Sequence, residues 1–103
     1  MSKRLKMLEK LATSDKADSF ALYALAMEYR SAGRNNDSLR TFETLRAKDA
    51  SYLPMYLMAG QLLLEMSRPE DARSWLEAGV DLATSKGDAK AKNELLAALA
   101  ECD

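Results

Sequence analysis

The chain has 103 residues, of which 48% are hydrophobic and 30% charged, and its formal net charge is −1. This length is typical of a single domain, and the hydrophobic content excludes an intrinsically disordered chain. Because the charge lacks the basic excess expected of a nucleic-acid-binding domain, we expect no nucleic acid among the partners.

The residue types that catalysis and metal binding need are scarce in this sequence. There is no histidine and only one cysteine, Cys102, so the commonest general base is absent and the usual Cys/His zinc site cannot be assembled. The four glycines are scattered and form no phosphate-binding loop. We therefore expect no catalytic residues, no metal site and no cofactor, and a catalytic or RNA-binding role is the least favoured alternative.

Neither a membrane span nor a signal peptide is predicted. The longest apolar region, residues 52–64, is too short to cross a bilayer and is interrupted by Pro54 and Gln61. The start of the chain, MSKRLKMLEKL, carries charges throughout and lacks the continuous apolar core of a signal peptide. We therefore expect a cytoplasmic location, with which a single cysteine is compatible.

The first predicted helix covers residues 3–13 and places Leu5, Leu8 and Leu11 on one face. It also carries a basic cluster, which we interpret as a solvated helix face, with a phosphate or lipid headgroup as the alternative ligand. The cluster comprises Lys3, Arg4, Lys6 and Lys10.

The second predicted helix follows a polar turn at residues 13–18 and covers residues 19–32. Asp18 or Ser19 can accept the unpaired N–H groups at its start. Gly33 supplies the left-handed residue that commonly ends a helix.

The third predicted helix covers residues 37–47, and Asn35 and Asn36 are expected to prolong the turn before it. Its predicted buried residues are Leu39, Phe42 and Leu45.

The central helix is predicted in the most apolar stretch, residues 52–66. Ser51 can cap it, and Pro54 is tolerated within its first turn. Gly60 interrupts a bulky run and indicates a close helix crossing, because glycine inside a helix costs about 1 kcal/mol relative to alanine. We expect Gly60→Ala to be near neutral if a methyl group fits at that crossing.

Two further helices complete the predicted secondary structure. Ser67 and Glu70 form a candidate capping box for a helix over residues 70–85. Asp88 is the expected N-cap of the last helix, which covers residues 89–101. The residues of this last helix that are expected to cover the end of the stack are Leu95, Leu96, Ala98 and Leu99.

A shift of 34 residues superimposes the second and third predicted helices on the fourth and fifth. In this register Ala26 falls on Gly60, and the first helix continues the pattern because Leu5 falls on Leu39. Three charged pairs are identical, namely Arg34/Arg68, Asp37/Asp71 and Glu43/Glu77. A fixed period of this length indicates a stacked array of helix pairs.

This pattern resembles that of the tetratricopeptide repeat (TPR) family. The matching residues are Leu22, Leu25, Ala26, Tyr29, Gly33, Ser38 and Phe42 in one copy and Tyr56, Ala59, Gly60, Leu63, Ala72 and Leu76 in the next. The departures are Leu45 at a usually small position, and Ala50 and Thr84 at the usual proline position. The resemblance implies an all-α fold, an antiparallel helix-pair array of about six helices.

The resemblance also implies one TPR-like domain over residues 1–103. Its expected segments are a half-repeat helix (1–18), repeat 1 (19–52), repeat 2 (53–86) and a capping helix (87–103). Because the two end segments bring the array close to the three units that such arrays need, we expect it to be complete and capped.

TPR arrays present the first helix of each repeat along a concave groove, so the resemblance implies a non-enzymatic protein–protein interaction module or scaffold. The expected groove residues are Tyr23, Met27, Arg30, Leu57, Met58, Gln61, Leu64 and Glu65. Methionine adapts its shape and tyrosine combines apolar area with a polar tip, so we expect an amphipathic helix or an apolar peptide as the partner. The alternatives are a self-associating, homodimeric TPR unit and a core role for the same side chains.

TPR domains that bind the terminal carboxylate of a peptide carry Lys, Asn and Arg at matching groove positions. Here those positions hold Tyr23, Met27, Met58 and Asp88, and only Lys92 is cationic. The resemblance therefore does not extend to carboxylate binding.

Overall fold

The computed structural model describes residues 2–14 and 18–103, and these residues form six α-helices. The helices are α1 (Lys3–Ala12), α2 (Ser19–Ser31), α3 (Asn35–Lys48), α4 (Pro54–Glu65), α5 (Pro69–Lys86) and α6 (Ala89–Ala100). They belong to two compact units, Met1–Ala50 and Ser51–Asp103, with three helices each. The predicted all-α fold is confirmed, whereas positions 15–17 of the predicted polar turn lie outside the described residues.

Helices α3 and α5 keep the 34-residue period, because α3 begins at Asn35 and α5 begins at Pro69. The prediction that Asn35 and Asn36 prolong the preceding turn is wrong, since both residues lie in the first turn of α3. The reason is that Gly33 reverses the chain within a single residue, so the next helix starts two residues later.

Helices α2, α4 and α5 end in the same left-handed turn. Gly33, Ser67 and Gly87 have φ angles of 76°, 59° and 69°, and the residue after each donates its N–H to a carbonyl five residues earlier. The predicted capping box of Ser67 and Glu70 is therefore wrong. Ser67 ends α4 instead, and the N-cap of α5 is Arg68, whose side chain makes no capping hydrogen bond.

Two helices begin with the predicted side-chain caps, and one does not. Asp18 caps α2 and Asp88 caps α6, each accepting a backbone N–H from the residue three positions later. Ser51 does not cap α4, because residues 50–51 form a turn and the helix starts only at Pro54. Leu53 occupies the N-cap position without a side-chain bond, and Pro54 costs nothing there because a first-turn N–H has no intrahelical partner.

Helix α1 packs on α2 through one apolar stripe. Leu5 of α1 forms a buried cluster with Leu25 and Tyr29 of α2, and Leu8 and Ala12 pack against it. The prediction that Leu11 shares this face is wrong, because Leu11 keeps 50% of its surface exposed. Ala12, seven residues after Leu5, continues the stripe instead.

Helix α3 packs on α2 from within the same unit, as the buried Leu39, Phe42 and Leu45 were predicted to do. Ser38 is fully buried, and its hydroxyl donates to the carbonyl oxygen of Ala26 at 2.6 Å. This bond satisfies a polar group that would otherwise be costly to bury.

The second unit depends on two close helix contacts at glycines. A Cβ atom on Gly60 would lie 2.6 Å from Cγ of Leu76, and a Cβ atom on Gly79 would lie 2.7 Å from Cβ of Tyr56. Leu95 of α6 also approaches Gly79. The predicted close crossing at Gly60 is confirmed, and a methyl group there would collide with the fully buried side chain of Leu76. The condition for a near-neutral Gly60→Ala, that a methyl group fits, is therefore not met.

Helix α6 buries Leu95 and Ala98 against the second unit, and Leu99 is half-buried. Leu96 is 45% exposed, so its predicted place in the covered face is wrong. It lies about 100° around the helix from Leu95, on the outer side.

Candidate protein-binding surface

Helix α2 carries the first part of the predicted binding surface. Tyr23, Met27 and Arg30 occupy positions i, i+4 and i+7, which share one face of a helix, and each of the three is half-buried. The fully buried residues of α2 lie on a separate stripe and comprise Leu22, Leu25, Ala26 and Tyr29. Packing within the unit therefore leaves the predicted face partly accessible.

Tyr23 also takes part in the packing between α2 and α3. Its ring meets the fully buried ring of Phe42 edge-on, with the centroids 6.4 Å apart and an interplanar angle of 63°. Such a pair contributes about 0.5–1.5 kcal/mol beyond its buried area. A charge at Tyr23 would disturb folding as well as binding, so Met27 is the better position at which to test binding.

Helix α4 carries the second part of the predicted surface. Leu57, Gln61 and Leu64 follow the same i, i+4, i+7 spacing, and all three are half-buried. Met58 is half-buried beside them, and Glu65 is exposed at the end of the helix. The surface on α4 is therefore apolar along most of its length, with polar atoms from Gln61 and Glu65.

None of the eight predicted groove residues is fully buried. The described residues also contain no group of His, Cys, Asp and Glu side chains that could hold a metal ion. Within the same described ranges, no helix is long and apolar enough to cross a membrane. What α2 and α4 offer chemically is contact area with a few polar groups.

Tyr29 is the centre of a polar network that sequence reasoning missed. Its hydroxyl donates to Oε2 of Glu9 on α1 at 2.5 Å, and the guanidinium of Arg34 lies 4.7 Å from its ring centroid. Burial, followed by the hydrogen bond to the Glu9 carboxylate, raises the pKa of Tyr29 to about 12. The phenol therefore remains a hydrogen-bond donor and ties α1 to the first repeat pair.

The repeated charged pairs have the same role in both units. Nε of Arg34 donates to Asp37 at 2.8 Å, and Nε of Arg68 donates to Asp71 at 2.8 Å. Asp37 also accepts from Arg40, and the two arginines hold the pKa of the Asp37 carboxyl below its usual value. These pairs stabilise the first turn of each second helix and are not part of the binding surface.

No protein-family model and no curated protein matches this sequence. Among solved structures, a solution structure of a tetratricopeptide repeat domain protein from Salinibacter ruber is 30% identical, with a TM-score of 0.79. The alignment covers 86% of this chain and 90% of that one. This chain belongs to the tetratricopeptide repeat family.

Two further solved structures share the TPR-like fold at lower identity. The type III secretion translocator chaperone SycD from Yersinia enterocolitica is 17% identical with a TM-score of 0.86, and the match covers 95% of this chain and 68% of SycD. PcrH from Pseudomonas aeruginosa gives the same identity and TM-score, over 95% of this chain and 75% of PcrH. The assignment of α2–α3 and α4–α5 as two full repeats, α1 as a half repeat and α6 as a capping helix stays a prediction from the sequence.

Proposed function

We propose that this TPR chain is a non-enzymatic, cytoplasmic protein-interaction module that binds an amphipathic helix or an apolar peptide on the half-buried faces of α2 and α4. The observation that carries the proposal is that the same repeat positions stay half-buried in both repeats. These positions pair Tyr23 with Leu57, Met27 with Gln61 and Arg30 with Leu64. A partner that covers them would gain apolar burial that the chain itself does not take up.

The side chains on these faces suit an apolar, helical ligand. Met27 and Met58 are flexible and polarisable, so they can adapt to the side chains of a partner. Leu57 and Leu64 add apolar area, and Gln61 offers a donor and an acceptor. SycD, which has a similar fold, is a translocator chaperone, and this supports a protein as the partner.

Methionine methyl groups provide a direct test of this surface. The ¹³C-methyl-labelled protein is titrated with a designed amphipathic helical peptide that has leucine at every third and fourth position. We expect the resonances of Met27 and Met58 to shift and saturate, whereas the fully buried Met55 is unchanged. Shifts confined to Met7 would place the peptide on α1 and contradict the proposal.

A paired substitution tests the same surface by mutation. Met27→Glu combined with Leu57→Glu should weaken peptide binding roughly tenfold or more, because each carboxylate would have to be desolvated beneath a ligand bound to its own helix. Thr44→Glu with Thr84→Glu adds the same charges at exposed positions of the second helices and should bind normally. A folded Met27→Glu, Leu57→Glu variant with unchanged affinity would exclude these faces.

Self-association is a second candidate function, favoured by a separate observation. Large apolar side chains outside the proposed binding surface remain exposed on α1 and on α6. A second copy of the chain could cover them.

A further inference from the structure

Four large apolar side chains are exposed among the described residues. Phe20 lies three residues before Tyr23 and seven before Met27, so it adjoins the proposed surface on α2, whereas the other three lie outside that surface. The exposed fractions are 61% for Met7, 50% for Leu11, 66% for Phe20 and 45% for Leu96. The first three lie on α1 and in the first turn of α2, and Leu96 lies on α6. Outside the proposed surface, exposed large apolar side chains therefore occur on α1 in one unit and on α6 in the other.

The α1 patch consists of Met7 and Leu11, which are four residues apart on one side of α1. In the repeat register Leu11 corresponds to Leu45, which is fully buried in α3. Helix α1 thus carries a core-type side chain at a position that the described residues leave open.

Basic side chains border the α1 patch. Lys3, Lys6 and Lys10 are all exposed on α1. The helix, KRLKMLEKLA, contains four basic residues and one acidic residue, Glu9, which accepts the hydroxyl of Tyr29. The apolar patch therefore lies in a positive electrostatic field.

The α6 patch consists of Leu96, Ala97 and Ala100. All three are exposed, and their spacing places them together on the outer side of α6. Two exposed carboxylates, Glu94 and Glu101, lie three residues before and four residues after Ala97 and border this patch, and Lys92 lies four residues before Leu96. The charge of these three residues sums to −1, which is opposite in sign to the charge around the α1 patch.

We propose that the α6 patch of one copy docks on the α1 patch of a second copy of this chain. Both patches gain apolar burial in this contact, and their bordering charges are complementary. In the repeat order, α1 corresponds to α3, the second helix of a repeat, and α6 follows α5 in the place where the first helix of the next repeat would begin. The proposed contact therefore gives α1 a neighbour equivalent to a first helix, as α2 is for α3.

Charge distinguishes this contact from the other ways of covering the patches. Pairing α1 with α1 would place two basic helices against each other, and pairing α6 with α6 would bring the carboxylates of both copies together. An anionic membrane would match α1 alone and leave the α6 patch exposed. The inference rests on the second candidate function and is independent of the faces of α2 and α4.

The proposed contact is heterologous, since each copy contributes a different patch. Such a contact closes into a ring or a reciprocal dimer if its rotation permits, and otherwise continues as a chain of copies. If one patch is blocked in each of two copies, and the blocked patches differ, the two copies can form only a single contact. This property makes the proposal directly testable.

The test uses two variants of the 103-residue chain, each with one blocked patch. Leu11→Glu places a carboxylate in the α1 patch, and Leu96→Gln removes the apolar centre of the α6 patch. Both positions are exposed, so the circular dichroism melting curves should remain close to that of the wild type. Thr44→Glu, an exposed change on α3 outside both patches, is the control.

Light scattering and sedimentation equilibrium from micromolar to millimolar concentration give the readout. We expect the wild type and Thr44→Glu to increase in mass with concentration, while each patch variant alone stays monomeric. An equimolar mixture of Leu11→Glu and Leu96→Gln should form a one-to-one dimer and nothing larger, because one intact α6 patch meets one intact α1 patch. If a single variant still self-associates, an affinity at least tenfold weaker than that of the wild type supports the same contact.

Several results would overturn the proposal. A wild type that remains monomeric at millimolar concentration excludes the contact, as does a mixture of the two variants that does not associate. If Leu96→Gln alone associates as strongly as the wild type, α1 pairs with α1. If Leu11→Glu alone does so, α6 pairs with α6. Binding to phosphatidylserine vesicles without self-association would assign the α1 patch to a membrane.

Discussion

Ser67 is the one non-glycine residue with a positive φ in the described ranges, at 59°. Gly33 holds the equivalent place in repeat 1, with a φ of 76°. A side chain in this conformation costs about 1–2 kcal/mol, because its Cβ crowds the following carbonyl oxygen. The backbone bond from Arg68 to the carbonyl of Leu63, at 2.8 Å, helps to keep the turn closed despite this cost.

We expect Ser67→Gly to raise the free energy of unfolding by about 0.5–1 kcal/mol, since glycine relieves the strain but loses more backbone entropy on folding. Gly33→Ser is the opposite substitution at the equivalent position and should lower the free energy of unfolding by a similar amount. A Cβ at Gly33 would have no atom within 4 Å, so the cost there is conformational and not steric. Urea denaturation of both variants measures these changes, and destabilisation by Ser67→Gly would refute the assignment of strain.

Gly60 illustrates a different residue-scale constraint, namely lack of space. We expect Gly60→Ala to lower the free energy of unfolding by about 1–3 kcal/mol despite the better helix propensity of alanine. The new methyl group would meet Leu76, which is fully buried. The penalty should shrink in a Leu76→Ala background, as a double-mutant cycle would reveal, and equal penalties in both backgrounds would show that Leu76 is not the obstacle.

At the scale of elements, hydrogen bonds between side chains add to the apolar stripe that holds α1 on α2. The hydroxyl of Tyr29 donates to the Glu9 carboxylate from a residue that is 9% exposed. Nε of Arg4 forms a second link, to Glu28 at 3.1 Å, but its side chain is 72% exposed. The exposed pair is screened by water, so the bond from Tyr29 is the larger polar contribution to holding α1 on α2.

We expect Tyr29→Phe to cost about 1 kcal/mol at neutral pH through loss of this hydrogen bond. The pKa of Tyr29 is raised from 10.0 to about 12 in the folded chain, so the folded state holds its proton more tightly than the unfolded state. Its stabilising contribution is complete below pH 10 and is lost as the pH rises to about 12.

Denaturation of the wild type and of Tyr29→Phe across this pH range measures the effect. The difference in stability between the two proteins should narrow as the phenol ionises, because only the wild type can lose that proton. Other tyrosines and the lysines titrate in both proteins and cancel in the comparison. A difference that does not depend on pH would contradict the raised pKa.

At the scale of the whole molecule, the two proposed interactions use different side chains and should be separable. Leu11→Glu should abolish self-association while the methyl shifts of Met27 and Met58 on peptide addition persist. Met27→Glu should do the reverse, weakening peptide binding while the mass still increases with concentration. Loss of both properties in either folded variant would show that the two surfaces are coupled and that the assignment of separate roles is wrong.

The sequence by itself determined the helices and their repeat register. Apolar spacing and Gly33 are local features, and the 34-residue shift is found by comparing the sequence with itself. Together they predicted α2 to α5 and the family to which the chain belongs. All eight groove positions also lie on α2 or α4 as predicted. Their role in binding remains a proposal, because accessibility alone does not identify a ligand.

Only the tertiary structure decided which apolar residues are covered and which glycines have no room for a methyl group. Leu11 and Leu96 look like core residues in the sequence, yet each lies on the side of an end helix that no other described helix covers. The bond from Tyr29 to Glu9 joins residues twenty positions apart on different helices. Burial and close contact depend on atoms brought together from distant parts of the chain, which local periodicity does not specify.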